Sequence, residues 1–412
     1  MSLEFHKYEL GDLCNISSSK RIFAREYVDE GIPFYRGKEI IELFNNRDVS
    51  TELFITTEKY ESIKEKYGVP EKGDILLSSV GTLGVPYLVK DEKFYFKDGN
   101  LTWFKDFNSK LNNKFLYWWL QSIDAKYQIN NKCIGSTQKA LPIKTLEKFD
   151  IDLPPLKTQE QIVDILENIS NKIKANISIN KNLTICIDVN FKNNLLNFNN
   201  YFTHELVSSE FGLIPKRWEV STLTKIANYQ NGLAMQKFPP ENSEDCFKVL
   251  KIKELRQGFF DDASDLCSKN IKEECIVYDG DVIFSWSGSL LVDIWTGGTC
   301  GLNQHLFKVT SSEFDKWFYY CWTKFYLDQF ILIAKDKATT MGHIKRKHLD
   351  DSLVLIPDKE TYSKLTLLFK PLFDMLIKNK IEIKKLQNLR DVLMPKLMSG
   401  EVDVSRINSY LE

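Results

Sequence analysis

The chain has 412 residues, 43% apolar and 13% aromatic, which suffices for two or three domains with real cores. A formal net charge of −1 argues against an indiscriminate polyanion binder but leaves room for local basic patches. No apolar run reaches the roughly 18 residues of a membrane span and the start, MSLEFHKYEL, has no apolar signal core, so a soluble cytoplasmic protein is expected. The cysteines (Cys14, Cys133, Cys186, Cys246, Cys267, Cys275, Cys300, Cys321) are scattered without a C-x-x-C, which points to neither a zinc site nor a disulfide framework.

Residues 1–155 read as a first globular unit. Gly11, Gly31, Gly73, Gly81, Gly84 and Gly99 separate short apolar runs, of which residues 74–77 and 87–89 are predicted strands. Residues 113–123 predict a helix, and the helical spacing of Phe115, Trp118 and Trp119 favours core over a base-stacking platform.

From Leu156 to about residue 200 there is no Gly or Pro, and apolar residues recur at alternating steps of three and four, so one long helix is predicted. Pro154 and Pro155 forbid an earlier start, Thr158 is the expected N-cap, and Gln161 would complete a capping box. Ile162, Leu166, Ile169, Ile173 and Leu183 form an apolar seam interrupted by Asn176. The pattern returns at an offset of 203 (365 − 162) as Leu365, Phe369, Leu372, Leu376 and Leu386, with Asn379 answering Asn176 and Ile383 also on the seam. Such spacing marks a coiled coil in which a shared Asn fixes register. The blander alternative, an amphipathic helix on a globular core, leaves each stripe without the partner that the repeat supplies. Pro371 predicts a kink near Phe369, or a second helix that begins in earnest only there.

Residues 210–357 repeat the first unit. Trp218-Glu219-Val220 answers Tyr8-Glu9-Leu10, Lys253-Glu254-Leu255 answers Lys38-Glu39-Ile40, and Gly280-Asp281-Val282-Ile283-Phe284-Ser285 answers Gly73-Asp74-Ile75-Leu76-Leu77-Ser78. Asn303, Phe307 and Lys308 answer Asn100, Phe104 and Lys105, and Ile356-Pro357 answers Leu153-Pro154. Matches in this order imply a duplication. The domains expected are 1–155 and 210–357, with a spacer helix in 156–209 and a second helix and tail in 358–412. A helix of about 40 residues is roughly 60 Å long, so a unit joining the end of one helix to the start of the other requires antiparallel pairing. The predicted class is α+β, a pseudo-twofold dumbbell of two similar globular units separated by an antiparallel coiled coil.

Two similar but diverged units on a rigid spacer suit the reading of two different DNA half-sites; spacing two protein partners is the competing use. The loops favour DNA. Lys132, Gly135, Ser136, Thr137, Gln138 and Lys139 combine cations with hydroxyls and an amide, and the matching stretch carries Lys335, Lys337, Thr339, Thr340, His343, Lys345, Arg346 and Lys347. Further candidates are Lys20, Arg21, Arg36, Ser79, Thr82, Gln236, Lys237 and Ser287. Lys and Arg neutralise phosphates, while Gln, Ser, Thr and Arg address base edges. For any one of them a solvated surface role competes; the recurring set carries the reading. No catalytic or metal residue is assigned: phosphate-loop, H-E-x-x-H, G-x-G-x-x-G and D-P-P-Y type motifs are absent, and Glu382-x-Lys384 lies on the predicted helix.

The chain resembles, over essentially its full length, the specificity (S) subunits of type I restriction-modification enzymes. The resemblance rests on Gly31-Ile32-Pro33-Phe34-Tyr35-Arg36, Gly73-Asp74-Ile75-Leu76-Leu77-Ser78 with Gly81-Thr82, Leu153-Pro154-Pro155-Leu156 with Gln159-Glu160-Gln161-Ile162, Ile214-Pro215-Lys216-Arg217-Trp218, Gly301-Leu302-Asn303-Gln304-His305, and Leu397-Met398-Ser399-Gly400-Glu401-Val402. It implies two target recognition domains that read a split double-stranded DNA site, spaced by conserved helices, in a chain that is not itself an enzyme. Catalysis would lie in two methyltransferase (M) subunits acting on adenine and in restriction (R) subunits, with S-adenosylmethionine, ATP and Mg bound there. The alternatives are a recognition subunit of a type II-like restriction system and a coiled-coil protein scaffold.

Overall fold

The computed structural model describes residues 5–45, 47–135, 139–198, 205–240, 245–336 and 342–404. The breaker-free stretch forms the helix Leu156–Phe191, continued by one wider turn, Lys192–Leu196. Thr158 is not its cap. The amides of Thr158 and Gln159 already bond to the Pro155 carbonyl at 2.8 and 3.1 Å, so the first turn closes directly after the two prolines. Gln159 then ties the helix start to the unit before it: its Nε2 donates to the Lys110 and Pro154 carbonyls, and its Oε1 accepts from the Asn112 amide.

The second long helix is Lys359–Met398, and it begins well before Phe369 and runs on through Pro371. A proline here withholds one amide from the carbonyl four residues earlier, that of Leu367. Pro371 is exposed and Leu367 is 78% exposed, so water can serve that carbonyl. Leu365, Phe369 and Phe373 on the opposite face are buried, and their packing outweighs the lost bond.

Two compact units result, one comprising Met1–Ser170 with Asn388–Glu412 and the other Asn171–Gln387. Each therefore owns part of both long helices. The first holds a four-stranded antiparallel sheet in the order Asn15–Ser17, Leu101–Lys105, Ile75–Ser78, Pro86–Leu88. A second sheet sets Ile32–Tyr35 between Phe54–Ile55 and a parallel Tyr95–Phe96, and His6–Glu9 pairs with Asp150–Leu153. The second unit repeats this plan. Its four-stranded sheet runs Asn228–Asn231, Leu306–Thr310, Val282–Ser285, Leu291–Ile294, its other sheet has Cys246–Leu250 parallel to Cys300–Leu302, and Glu219–Thr222 pairs with Leu353–Ile356.

The ladders correct two of the sequence correspondences. Glu9 sits opposite Asp150 and Thr222 opposite Leu353, so Tyr8-Glu9-Leu10 is answered by Ser221-Thr222-Leu223, not by Trp218-Glu219-Val220. Leu77 pairs with Thr102 and Phe284 with Phe307, so Phe307 answers Thr102 and Val309 answers Phe104. Insertions between strands cause the slips: the offset is 203 on the long helices, 205 (307 − 102) at one strand and 213 (222 − 9) at another. A slip of two keeps a side chain on its face, which is why the second error was invisible in the apolar pattern.

Phe115, Trp118 and Trp119 are core residues, packed with Ile162, Leu166, Leu397 and Met398. In the second unit Trp317 stacks on Phe369, ring centroids 4.5 Å apart. Burying a side chain of this size contributes about 2 kcal/mol. Antiparallel pairing is visible within the second unit: Lys172 and Asn176 meet Glu382 at 3.8 and 3.0 Å, while Ile187 and Phe191 share a core with Leu365 and Phe369. Of the predicted seam, Ile162, Leu166, Ile173, Asn176, Leu365, Phe369, Leu376 and Asn379 are buried; Ile169, Leu183, Leu372, Ile383 and Leu386 are half-buried. Among the described residues no helix is long and apolar enough to cross a membrane.

Candidate nucleic-acid interface

In the first unit the strand Ile75–Ser78 runs out into Ser79, Val80 and Gly81, beside which Lys139, Ala140 and Leu141 lie. The Leu141 amide donates to the Ser79 carbonyl at 2.9 Å and the Gly81 amide to the Lys139 carbonyl at 3.3 Å, with Val80 facing Ala140. Gly81 needs its left-handed φ of 80° to make this turn. The second unit repeats the arrangement bond for bond. Ile344 donates to the Trp286 carbonyl at 3.1 Å, Gly288 to the Gly342 carbonyl at 2.9 Å, and Ser287 faces His343.

Around this shared frame the chemistry differs. In the first unit it borders a notch of about 390 Å³ lined by Ser18, Ser19, Gly99 and Ala140, with Asp98 and the larger Leu101 and Ile143. Arg21 closes on Asp98 at 2.8 Å. Ser79 is buried, its hydroxyl within hydrogen-bond distance of Thr102 Oγ1 and donating to the Leu77 carbonyl. Thr82 and Lys139 stand exposed beside it. Lys20 lies 4.7 Å over the Tyr67 ring, and Arg36 is held by Glu39, which is 0% exposed and takes both the Arg36 amide and guanidinium at 2.8 Å. Lys132 is bonded to the Lys148 carbonyl and Gln128, 5.0 Å over the Phe149 ring.

In the second unit Trp286 stacks on Phe307 and meets His305 and His343, with centroids 5.6, 6.1 and 6.3 Å away. Its Nε1 donates to Asn231 Oδ1 at 3.2 Å. His305 leads into a cleft of about 620 Å³ lined by Gln236, Lys251, Lys253, Asn303 and Gln304. Lys237, Lys345 and Arg346 are exposed, and Ser287 is buried. Ser136, Thr137, Gln138, Lys337, Thr339 and Thr340 lie outside the described residues. Sequence reasoning placed Ser287, His343 and Gln236 among the candidates but passed over Trp286, Asn303, Gln304 and His305. The run Gly301-Leu302-Asn303-Gln304-His305 was the signal that could have found the last three.

Burial pushes the Cys14 thiol up to about 12 and Cys267 to about 11, as expected of core residues. What the two loop frames offer is hydrogen-bonding and ring-bearing side chains on a rigid base, with cations close in sequence.

The family model described as "Type I restriction modification DNA specificity domain" matches residues 3–184. The type I restriction enzyme MjaIX specificity subunit of Methanocaldococcus jannaschii is 27% identical over 362 residues, 82% of this chain and 79% of that one. The putative type I restriction enzyme specificity subunit S.HindORF215P of Haemophilus influenzae is 34% identical over 175 residues, 42% of each chain. The crystal structure of the type I restriction-modification system S subunit from M. genitalium superposes with a TM-score of 0.60 at 16% identity, covering 96% of both chains. Residues 3–184 thus match the type I DNA specificity domain, and the whole chain, with its duplicated architecture, is similar to the specificity subunits of type I restriction-modification systems.

Proposed function

We propose that this chain is the DNA sequence-specificity subunit of a type I restriction-modification complex, in which each unit reads one half of a bipartite site on double-stranded DNA. The observation that carries this reading is the repeated loop frame: identical backbone hydrogen bonds in both units present different side chains, as two readers of different sequences require. The chain works in the cytoplasm with methyltransferase and restriction subunits, two of the former, and has no catalytic role. S-adenosylmethionine, ATP and Mg belong to those partners. The near-zero net charge fits this division, since partners that embrace the duplex can supply much of the phosphate contact.

The test is selection from a pool of randomised duplexes by the chain assembled with its methyltransferase partners. A consensus of two short specific blocks separated by a non-specific gap is expected; recovery of duplexes without a shared sequence would refute the reading. The isolated chain, incubated with S-adenosylmethionine and the selected duplex, should transfer no methyl group.

A further inference from the structure

The two units differ most where their loop frames agree most closely. The matching bonds make Trp286 the counterpart of Ser79 and His343 the counterpart of Ala140. The Trp286 amide donates to the His305 carbonyl where the Ser79 amide donates to that of Asn100, so His305 answers Asn100. Phe307 answers Thr102 by ladder register. The hydroxyl pair Ser79 and Thr102 has thus become the stacked pair Trp286 and Phe307, and two imidazoles have been added beside it.

Resting on the DNA-specificity reading, we propose that Trp286, His305 and His343 determine which bases the second unit accepts in its half of the site. The first unit, with a notch and no aromatic ring at the same place, reads its own half by a different mode. Trp286 packs against the core of the second unit yet stays half-buried, His305 is half-buried and His343 is exposed, so all three rings reach the surface. The fold nevertheless fixes the indole, by the stack below it and the bond to Asn231. The His305 Nδ1 is closed off from solvent, and its Nε2 lies 3.3 Å from the Gln304 side-chain nitrogen. Rigid rings match what sequence readout demands: imidazole edges for polar base edges and, with the indole N–H given to Asn231, an indole face and apolar rim for stacking and the thymine methyl. Lys345 and Arg346, next along the chain and exposed, suit the accompanying phosphates. The cleft beyond His305 adds Gln236 and Gln304 to the same face.

The experiment is the duplex selection above, run with the assembled complex carrying His343→Ala, Trp286→Ser or the milder Trp286→Phe, which keeps the stack and removes the indole N–H. At least one position in one half of the consensus should lose its base preference by tenfold or more, with the other half unchanged. Lys345→Ala should weaken binding to all sequences while the consensus survives. Unchanged preference in His343→Ala and Trp286→Phe, with the wild type selecting normally, would overturn the assignment of these rings alone. Equal loss in both halves would overturn it too, whereas a wild-type complex that selects nothing removes the underlying reading as well.

Discussion

Asp358 shows how one side chain distinguishes the two halves of a duplication. At the offset of the long helices it answers Pro155 (358 − 155 = 203). The first long helix therefore starts on a bare proline carbonyl, while the second has a carboxylate cap: Asp358 accepts from the amides of Glu360 and Thr361 and from the Thr361 hydroxyl. Burial pushes this carboxyl up, but the bonds from Thr361 and Glu360 outweigh it and leave its pKa below the ordinary aspartate value. A depressed native pKa makes the cap's contribution complete above the unfolded value, about 4, and progressively lost as pH falls through the native one. Asp358→Ala should cost about 1 kcal/mol near neutrality. Denaturant titrations at several pH values should show this difference shrinking in acid; a constant difference would mean the side chain acts by packing. Glu39 and Glu254 make the complementary case, since both are buried in matching capping boxes, Arg36 to Glu39 and Lys251 to Glu254. Glu39→Ala removes three charge-assisted bonds on an otherwise enclosed site and should cost about 3 kcal/mol, read as a lowered denaturation midpoint.

At the scale of the element, the long helices were the most legible part of the chain, because their period and their lack of breakers survive any insertion elsewhere. Pro371 was misleading: local propensity marks a break, yet the burial of Leu365, Phe369 and Phe373 around it decides the outcome. Two of the strand correspondences were legible as order and wrong in register, one by three residues and one by two, and the apolar pattern cannot distinguish a slip of two. The site was legible only in part. Lysines and hydroxyls in loops announce a polyanion surface, whereas Trp286 and His305 look like core or linker residues until the loop frame brings them beside His343. The polar layer between the helices is open to test. Asn176 donates to Glu382 at 3.0 Å, but the Asn379 side-chain amide is buried with its Nδ2 unpaired. Replacing an unsatisfied buried amide by a hydrocarbon is favourable, so Asn379→Leu should stabilise the second unit by about 1–2 kcal/mol. Asn176→Leu gives up a bond and leaves Glu382 without that donor, and should be neutral or destabilising. Thermal melts of the two variants shifting in the same direction would contradict this account.

For the whole molecule, the duplication means that each unit is a closed repeat of the same plan, but one that includes stretches of both long helices. The core of the first unit joins Phe115, Trp119 and Phe149 to Ile162 and Leu166 near the start of the first long helix, and to Leu397 and Met398 at the end of the second. A replacement of residues 1–153 by the equivalent part of a relative therefore cuts through a packed core rather than a linker. If the relative's chain is matched at the four helix positions, or the host helices are changed to suit the incoming core, the hybrid should fold and assemble, and its selected consensus should change in one half and keep the other. Without that matching, large-to-small mismatches against Ile162, Leu166, Leu397 and Met398 should each cost about 2–4 kcal/mol. Together these losses rival the stability of an ordinary domain, so the unmatched hybrid should be recovered unfolded or aggregated. Stable, specific hybrids obtained irrespective of the helix residues would show that the globular part is self-sufficient. A hybrid in which both halves of the consensus changed at once would show that the two units do not read independently.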